Sequence, residues 1–359
     1  LFNIFSFHPA AAQANDGMEL LYGAPADAFI NIFPAMVIDP ATGGFLDVFN
    51  VLAPPPFICS GGVAASNARF LYVSIPPQTC LNQEAEIIGY RLNSASGVPV
   101  ALPWSPLVLR NGSSPNGMVS VPNRPYLYAA DAGGIDAFRI DAATGALTPI
   151  AGSPVQSGAN YELVVDPSGK FIYASDYDAP GGVFAFTISA GGELARVSGS
   201  PFQVPGPAGS NNQPVGIVDT GKFVYIALAN TNQIAGFSIN RKTGALKPLA
   251  GAFAVTGNGP VPLLLTGNFL YTVNEIDGTI SGYSIDDTTG ALTPIAGSPF
   301  GTDGSDIAVD VSGQYLYLSG HRGVQGYNID PTTGVLTEGA GSHGNDGSLW
   351  LTVVQLPAK

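Results

Sequence analysis

Seven times along this chain a short β-rich run ends on a tyrosine: "ELLYG" at Tyr22, "RFLYVS" at Tyr72, "PYLYAA" at Tyr128, "KFIYAS" at Tyr173, "KFVYIA" at Tyr225, "NFLYTV" at Tyr271 and "QYLYLS" at Tyr317. The spacing runs from 45 residues (Tyr128 to Tyr173) to 56 (Tyr72 to Tyr128). A second alternating run follows each marker, with its aromatic at Tyr90, Phe138, Phe186, Phe237, Tyr283 and Tyr327, and with Met36 in the first copy. Next come a turn, usually Thr-Gly, and a third run such as "ALTPIAG"; ahead of each marker stands a run such as "VGIVDTG". Four short strands per period, alternating in steps of two and separated by Gly-rich turns, make one blade of a β-propeller. The sequence therefore predicts an all-β, seven-bladed β-propeller with four-stranded antiparallel blades.

The repeated wording follows from that architecture. Asp or Asn ends the third strand of a blade, and Thr-Gly supplies a left-handed backbone position in the turn to the fourth. Proline in "LTPIAG" suits an outermost strand, where a missing N–H can face solvent. The marker tyrosines and the aromatics after them read as packing between blades. Composition agrees, since 46 glycines and 30 prolines with only 11% charged residues suit short strands and tight turns.

Residues 17–359 form the predicted propeller domain, with 1–16 as an N-terminal segment. The first copy begins at the second strand of its blade, so its innermost strand must come from elsewhere. Two segments can supply it: the C-terminal "GSLWLTVVQL" or the N-terminal "NIFSFHP". The unused one becomes a spare strand, able to cover an edge of its own blade or add to a neighbouring molecule through Phe2, Ile4, Phe5 and Phe7. That makes a homo-oligomer or polymer one expectation. The opening "LFNIFSFHPAAAQAND" also reads as the tail of a signal peptide.

The formal net charge of −13 repels phosphate backbones and anionic lipid, which argues against nucleic-acid and membrane-surface binding. No apolar run approaches the roughly 20 residues that span a bilayer. Few lysines among many Ser, Thr, Asn and Gly favour an exported protein, extracellular or periplasmic. The two cysteines, Cys59 and Cys80, fall at the same end of the second blade and are expected to form a disulfide that pins "IPPQTCLNQEAE".

From the pattern "kFvYia … IagFsId … tGaLtp", the chain resembles the seven-bladed lactonase propellers, the family of 6-phosphogluconolactonase and carboxymuconate cyclase. The resemblance covers about residues 50 to 340 and is best from 128 onward. Its strongest match is "YTVNEIDGTISGYSID", similar to the family's Asn-Glu motif, which implies that Glu275 is the counterpart of a catalytic-site carboxylate. The family's Arg belongs in a Gly-Pro-Arg-His segment, but the sequence here reads "NGPVPLLL", with Val261 and Pro262 at those positions. The family's His would fall within Pro214 to Gly216, and none is there. Lactone chemistry needs an oxyanion donor and a proton carrier, and a lone Glu supplies no cation.

Of three histidines, His321 and His343 lie in loops of the last repeat, and with Arg322 they can rebuild a cationic centre if the loops converge. The same face carries Asp131, Asp176, Asp178, Glu275, Asp277, Asp303, Asp306 and Asp346. Within that set, Asp176, Asp178, Asp277 and Asp303 are the candidate oxygen ligands for Ca²⁺ or Mg²⁺. The leading expectation is an exported, non-catalytic propeller acting as a structural or interaction module and self-assembling through a terminal strand. The alternative is a divergent lactonase using Glu275 with His321, Arg322 or His343, acting on a sugar or organic-acid lactone.

Overall fold

Strict period-two alternation puts every second side chain of a strand against one neighbouring blade and the intervening ones against the other, so both faces of each sheet become core. The second strand of each blade accordingly reads as a continuous apolar run; Phe70–Ile75, Tyr126–Asp131, Phe223–Leu228 and Tyr315–Gly320 are buried along their whole length. The computed structural model describes residues 18–25, 32–52, 61–75, 77, 84–110, 115–131, 133–158, 160–178, 181–204, 212–301, 303–343 and 349–356. Phe2, Ile4, Phe5, Phe7, Cys59, Cys80 and Asp346 fall outside them, as does the side chain of His343.

Seven antiparallel sheets form a ring, the seven-bladed propeller expected. Blade I holds Glu19–Pro25, Ile32–Ile38 and Phe45–Leu52, and its innermost strand is Leu349–Gln355 from the other end of the chain. Glu19 pairs with Gln355 and the register runs unbroken to Pro25 opposite Leu349. Of the two segments able to close the ring, the C-terminal one does so. The innermost strands of blades II to VII are Gly62–Ser66, Met118–Ser120, Asn160–Val165, Pro214–Asp219, Pro260–Thr266 and Asp306–Val309, each beside the next around the central channel.

The recurrent phrase does more than turn the chain. The hydroxyl of each marker tyrosine donates to the carbonyl of the turn glycine in the following blade: Tyr22 to Gly97 (2.6 Å), Tyr72 to Gly145 (2.9 Å), Tyr128 to Gly192 (2.7 Å), Tyr173 to Gly244 (3.2 Å), Tyr225 to Gly290 (2.8 Å), Tyr271 to Gly334 (2.6 Å) and Tyr317 to Gly43 (3.0 Å). All seven tyrosines are fully buried. The residue two positions before each tyrosine lies over the same glycine, as Phe223 does over Gly290. Thus the "F-x-Y" of one blade and the "T-G" of the next are two halves of one contact. The Ser-Pro that follows in four blades secures the blade edge. There the hydroxyls of Ser105, Ser153, Ser200 and Ser298 accept the N–H groups of Gly89, Ala137, Ala185 and Gly282, left over where the short outer strand ends.

A net hydrogen bond of this kind is worth about 1 kcal/mol, and stranding a buried carbonyl costs about 1–3 kcal/mol. Tyr225→Phe is therefore expected to lower unfolding free energy by about 1–3 kcal/mol in a denaturant titration. Gly290→Ala should cost more than Tyr225→Phe. Its φ is +73°, and a Cβ would sit 2.8 Å from the Phe223 ring and 2.7 Å from Leu249.

Candidate functional site

The loops entering the innermost strands and those joining the second and third strands share one end of the ring, and the candidate residues gather there. On blade VI the chain leaves the strand Phe269–Asn274 and turns within four residues into Thr279–Ile285. Asn274 builds this turn: it is fully buried, and its side-chain amide donates to the hydroxyls of Thr279 and Ser281, both at 2.9 Å. Its carbonyl accepts the N–H of Gly278 at 2.7 Å. In the Asn-Glu pair, then, the Asn is scaffold and Glu275 is the group presented to the mouth. The Glu275 N–H is anchored on the carbonyl of Gly259 at 2.9 Å.

Blade VII supplies the opposite wall. Its turn Gly320 to Gly323 rests on the loop around Asp303, and a Cβ on Gly320 would lie 1.5 Å from the Asp303 carbonyl, so only glycine permits the approach. The Arg322 N–H donates to the Asp303 carboxylate at 3.1 Å, and its guanidinium lies 3.7 Å from the same oxygen. The result is one cleft of about 390 Å³ between blades VI and VII, lined by Glu275, Ile276, Asp277, Asp303, Ser305, His321 and Arg322 among others. Glu275 and His321, 46 positions apart in sequence, share this cleft with Arg322. The backbone of His343 ends the outer strand of blade VII opposite Val324.

The four aspartates expected to hold a cation are divided. Asp277 and Asp303 line the cleft, but Asp176 and Asp178 stand at the end of blade IV. Asp277 is already engaged by the N–H and the side-chain amide of Asn258, at 2.7 and 2.8 Å, which hold its pKa below the ordinary carboxylate value. Among the described residues no group of three or more His, Cys, Asp or Glu side chains is arranged to hold a metal ion.

Two further acids stand on the innermost strands around the channel. Glu162, on the innermost strand of blade IV, accepts the N–H of Ile217 from blade V at 3.1 Å. Asp306, on that of blade VII, accepts the N–H of Leu351 from blade I at 2.7 Å. Each carboxylate clips its blade to the next. Burial among the innermost strands pushes Glu162 up to about 8 and Asp306 up to about 7, each raised a little further by a neighbouring acid. Glu275 lies at the more open rim, yet desolvation raises its pKa too. Sequence reasoning placed Asp306 on this face but passed over Glu162. The available signal was a charge inside "NYELVVD", where blades V and VI carry "PVGIVD" and "PVPLLL".

The fold and site together are those of a seven-bladed propeller with an acidic mouth, in which three carboxylates, one imidazole and one guanidinium line a single cleft. The family model "Lactonase, 7-bladed beta-propeller" matches residues 81–343, and the chain belongs to that family. It is 29% identical over 147 residues to a 6-phosphogluconolactonase of Pectobacterium carotovorum subsp. carotovorum, an alignment that covers 39% of this chain and 42% of that protein. The chain therefore spans less than half the length of the curated relative it matches. A 6-phosphogluconolactonase of Pectobacterium atrosepticum is likewise 29% identical over 150 residues, 39% of this chain and 43% of that one.

In fold, the chain is similar to the periplasmic gluconolactonase PpgL of Pseudomonas aeruginosa, with TM-score 0.74 and 20% identity over 95% of this chain and 99% of that one. It is also similar to a putative 6-phosphogluconolactonase of Bacteroides fragilis, with TM-score 0.76 and 17% identity over 97% and 100%. The expectation of a non-catalytic structural module is overturned by this family membership and by relatives named as lactonases. That expectation leaned on the missing Arg and His of the family pattern. Val261, Pro262 and Pro214 to Gly216 do fill those positions with buried apolar residues, but blade VII brings His321 and Arg322 to the cleft that Glu275 lines.

The channel acids make stability depend on pH with a definite sign. Their folded pKa values lie above the ordinary 4.5 and 3.8, so folding takes up protons between those values and about 8. Their contribution is fully present below about pH 4 and is lost as pH rises through about 7 for Asp306 and about 8 for Glu162. Melting temperature measured against pH should fall across this window, and Glu162→Gln, which keeps an acceptor for Ile217, should flatten the upper part of the fall.

Proposed function

We propose that the protein is a lactonase that hydrolyses the ester of a small sugar or organic-acid lactone in the cleft between blades VI and VII. The observation that carries this reading is the gathering of Glu275, His321 and Arg322 on one cleft. A lactone carbonyl held there faces a carboxylate that can take a proton from water as the water oxygen attacks the carbonyl carbon. The oxyanion that forms is stabilised by the Arg322 guanidinium. Collapse of the intermediate breaks the ring C–O bond, and the leaving alkoxide takes a proton from His321 or from the protonated Glu275. The product is the open hydroxy acid, and no covalent enzyme intermediate is required. Family membership supports the reaction class, and the low-lysine, Ser/Thr/Asn-rich composition supports an exported location.

A panel of sugar and aliphatic lactones, followed by titration of the released acid and corrected for spontaneous opening, tests the reading. Glu275→Gln is expected to lower kcat/KM by about 10²–10⁴-fold. Arg322→Ala should cost less than the about 10²–10³-fold typical of an enclosed oxyanion donor, because its side chain is 89% exposed. Glu275 is active as a base only when ionised, so the rate should fall as pH drops through a value above the ordinary 4.5, and that limb should disappear in Glu275→Gln. Wild-type rates no faster than Glu275→Gln on every lactone would refute the assignment.

A further inference from the structure

We infer that this cleft selects an uncharged sugar lactone over a phosphorylated one, and that Tyr161, backed by Tyr177, is the surface on which the sugar ring rests. The inference takes its reaction from the lactonase reading, but its selectivity stands on the charge and shape of the mouth.

The charges come first. Glu275, Asp277 and Asp303 line the cleft, and Arg322 is the one arginine or lysine among its lining residues. That guanidinium leans on Asp303. Glu162 and Asp306 add two more carboxylates on the innermost strands of blades IV and VII. Arg110, on the blade II to III side, is held by Asp131 and by both oxygens of Asp136.

Most of the other cations bound to backbone or acid partners work at the opposite end of the ring. Arg91 reaches the Ala143 carbonyl, Arg124 that of Gly169, Arg139 that of Gly191 and Arg241 that of Gly221, while Lys222 pairs with Asp287. All those partners sit in turns at the ends of the first or third strands, away from the cleft. A phosphate monoester brings nearly two negative charges and needs several fixed donors or cations. Here it would meet a wall of carboxylates in a concave site, where like charges repel most strongly.

The shape comes second. Tyr161 and Tyr177 stack with ring centroids 5.7 Å apart and 17° between planes. Tyr177 is 39% exposed, and its hydroxyl is bound by the Gln213 side chain. Tyr161 packs against the cluster of Val215 and Val261, the apolar residues that occupy the emptied family positions. Its hydroxyl lies within the field of Glu275, Glu162 and Asp306. On the lip of the cleft, Ile276 is 78% exposed. Aromatic faces beside carboxylate oxygens match a sugar ring, whose C–H face is apolar and whose hydroxyls donate hydrogen bonds.

The experiment compares glucono-δ-lactone with 6-phosphoglucono-δ-lactone on the full chain at low and moderate ionic strength. The neutral lactone is expected to have a kcat/KM at least about tenfold higher, with the gap narrowing as salt screens the mouth. Tyr161→Ala should raise KM for glucono-δ-lactone about tenfold more than for δ-valerolactone, which has no hydroxylated face, and Tyr161→Phe should restore it. Equal or faster turnover of the phosphorylated lactone, or an equal effect of Tyr161→Ala on both neutral lactones, overturns the inference. Calorimetry with gluconate and 6-phosphogluconate separates it from the reaction assignment. Gluconate binding the more tightly without turnover of any lactone would sink the lactonase reading and uphold the selectivity; 6-phosphogluconate binding the more tightly, or neither acid binding, would sink the selectivity.

Discussion

The ring depends on the hydrogen bond from each marker tyrosine to the turn glycine of the next blade. Neighbouring blades share no strand-to-strand ladder, because the sheets pack face to face. Apolar packing between them is strong but non-directional and allows sliding. The tyrosine hydroxyl, buried and aimed at a carbonyl that has no other backbone donor in the turn, adds direction and register at seven equivalent places. The side chain two residues earlier covers the glycine so closely that a Cβ there cannot be accommodated without displacing it. Closure by Leu349–Gln355 then turns a chain of such clasps into a ring in which Tyr317 of the last blade holds Gly43 of the first.

Because these clasps sit at one end of the blades, the other end is free to vary. There the loops answer to local demands, such as Asn274 pinning a four-residue turn and Gly320 letting two loops touch. Val261 and Pro262 stand on blade VI where the family pattern has an Arg-containing segment, while Arg322 lines the cleft from blade VII. Carboxylates that clip adjacent blades, Glu162 and Asp306, also set the field of the channel, so part of the stability of the ring is tied to the electrostatics of the site.

Much of this was legible in the residues. Blade number, strand order and the role of Thr-Gly follow from the seven tyrosines and the period-two alternation, since the same local rule is written seven times. Glu275 was legible from "VNE", because its turn is built from adjacent residues. The quartet of aspartates proposed as cation ligands was not sustained, because aspartates that share one face of a wide ring need not share one place on it. Glu162 and Tyr161 were passed over because their meaning lies in what stands across the channel, and no spacing in the chain encodes that distance.

By itself the sequence determined the propeller, its seven blades and the turn chemistry that spaces them, since each rests on contacts within one repeat copied along the chain. Only the tertiary structure decided which terminal strand closes the ring, that each tyrosine grips the next blade's glycine, and that Glu275, His321 and Arg322 share a cleft. Those facts depend on residues far apart in the chain, brought together by the curvature of the ring.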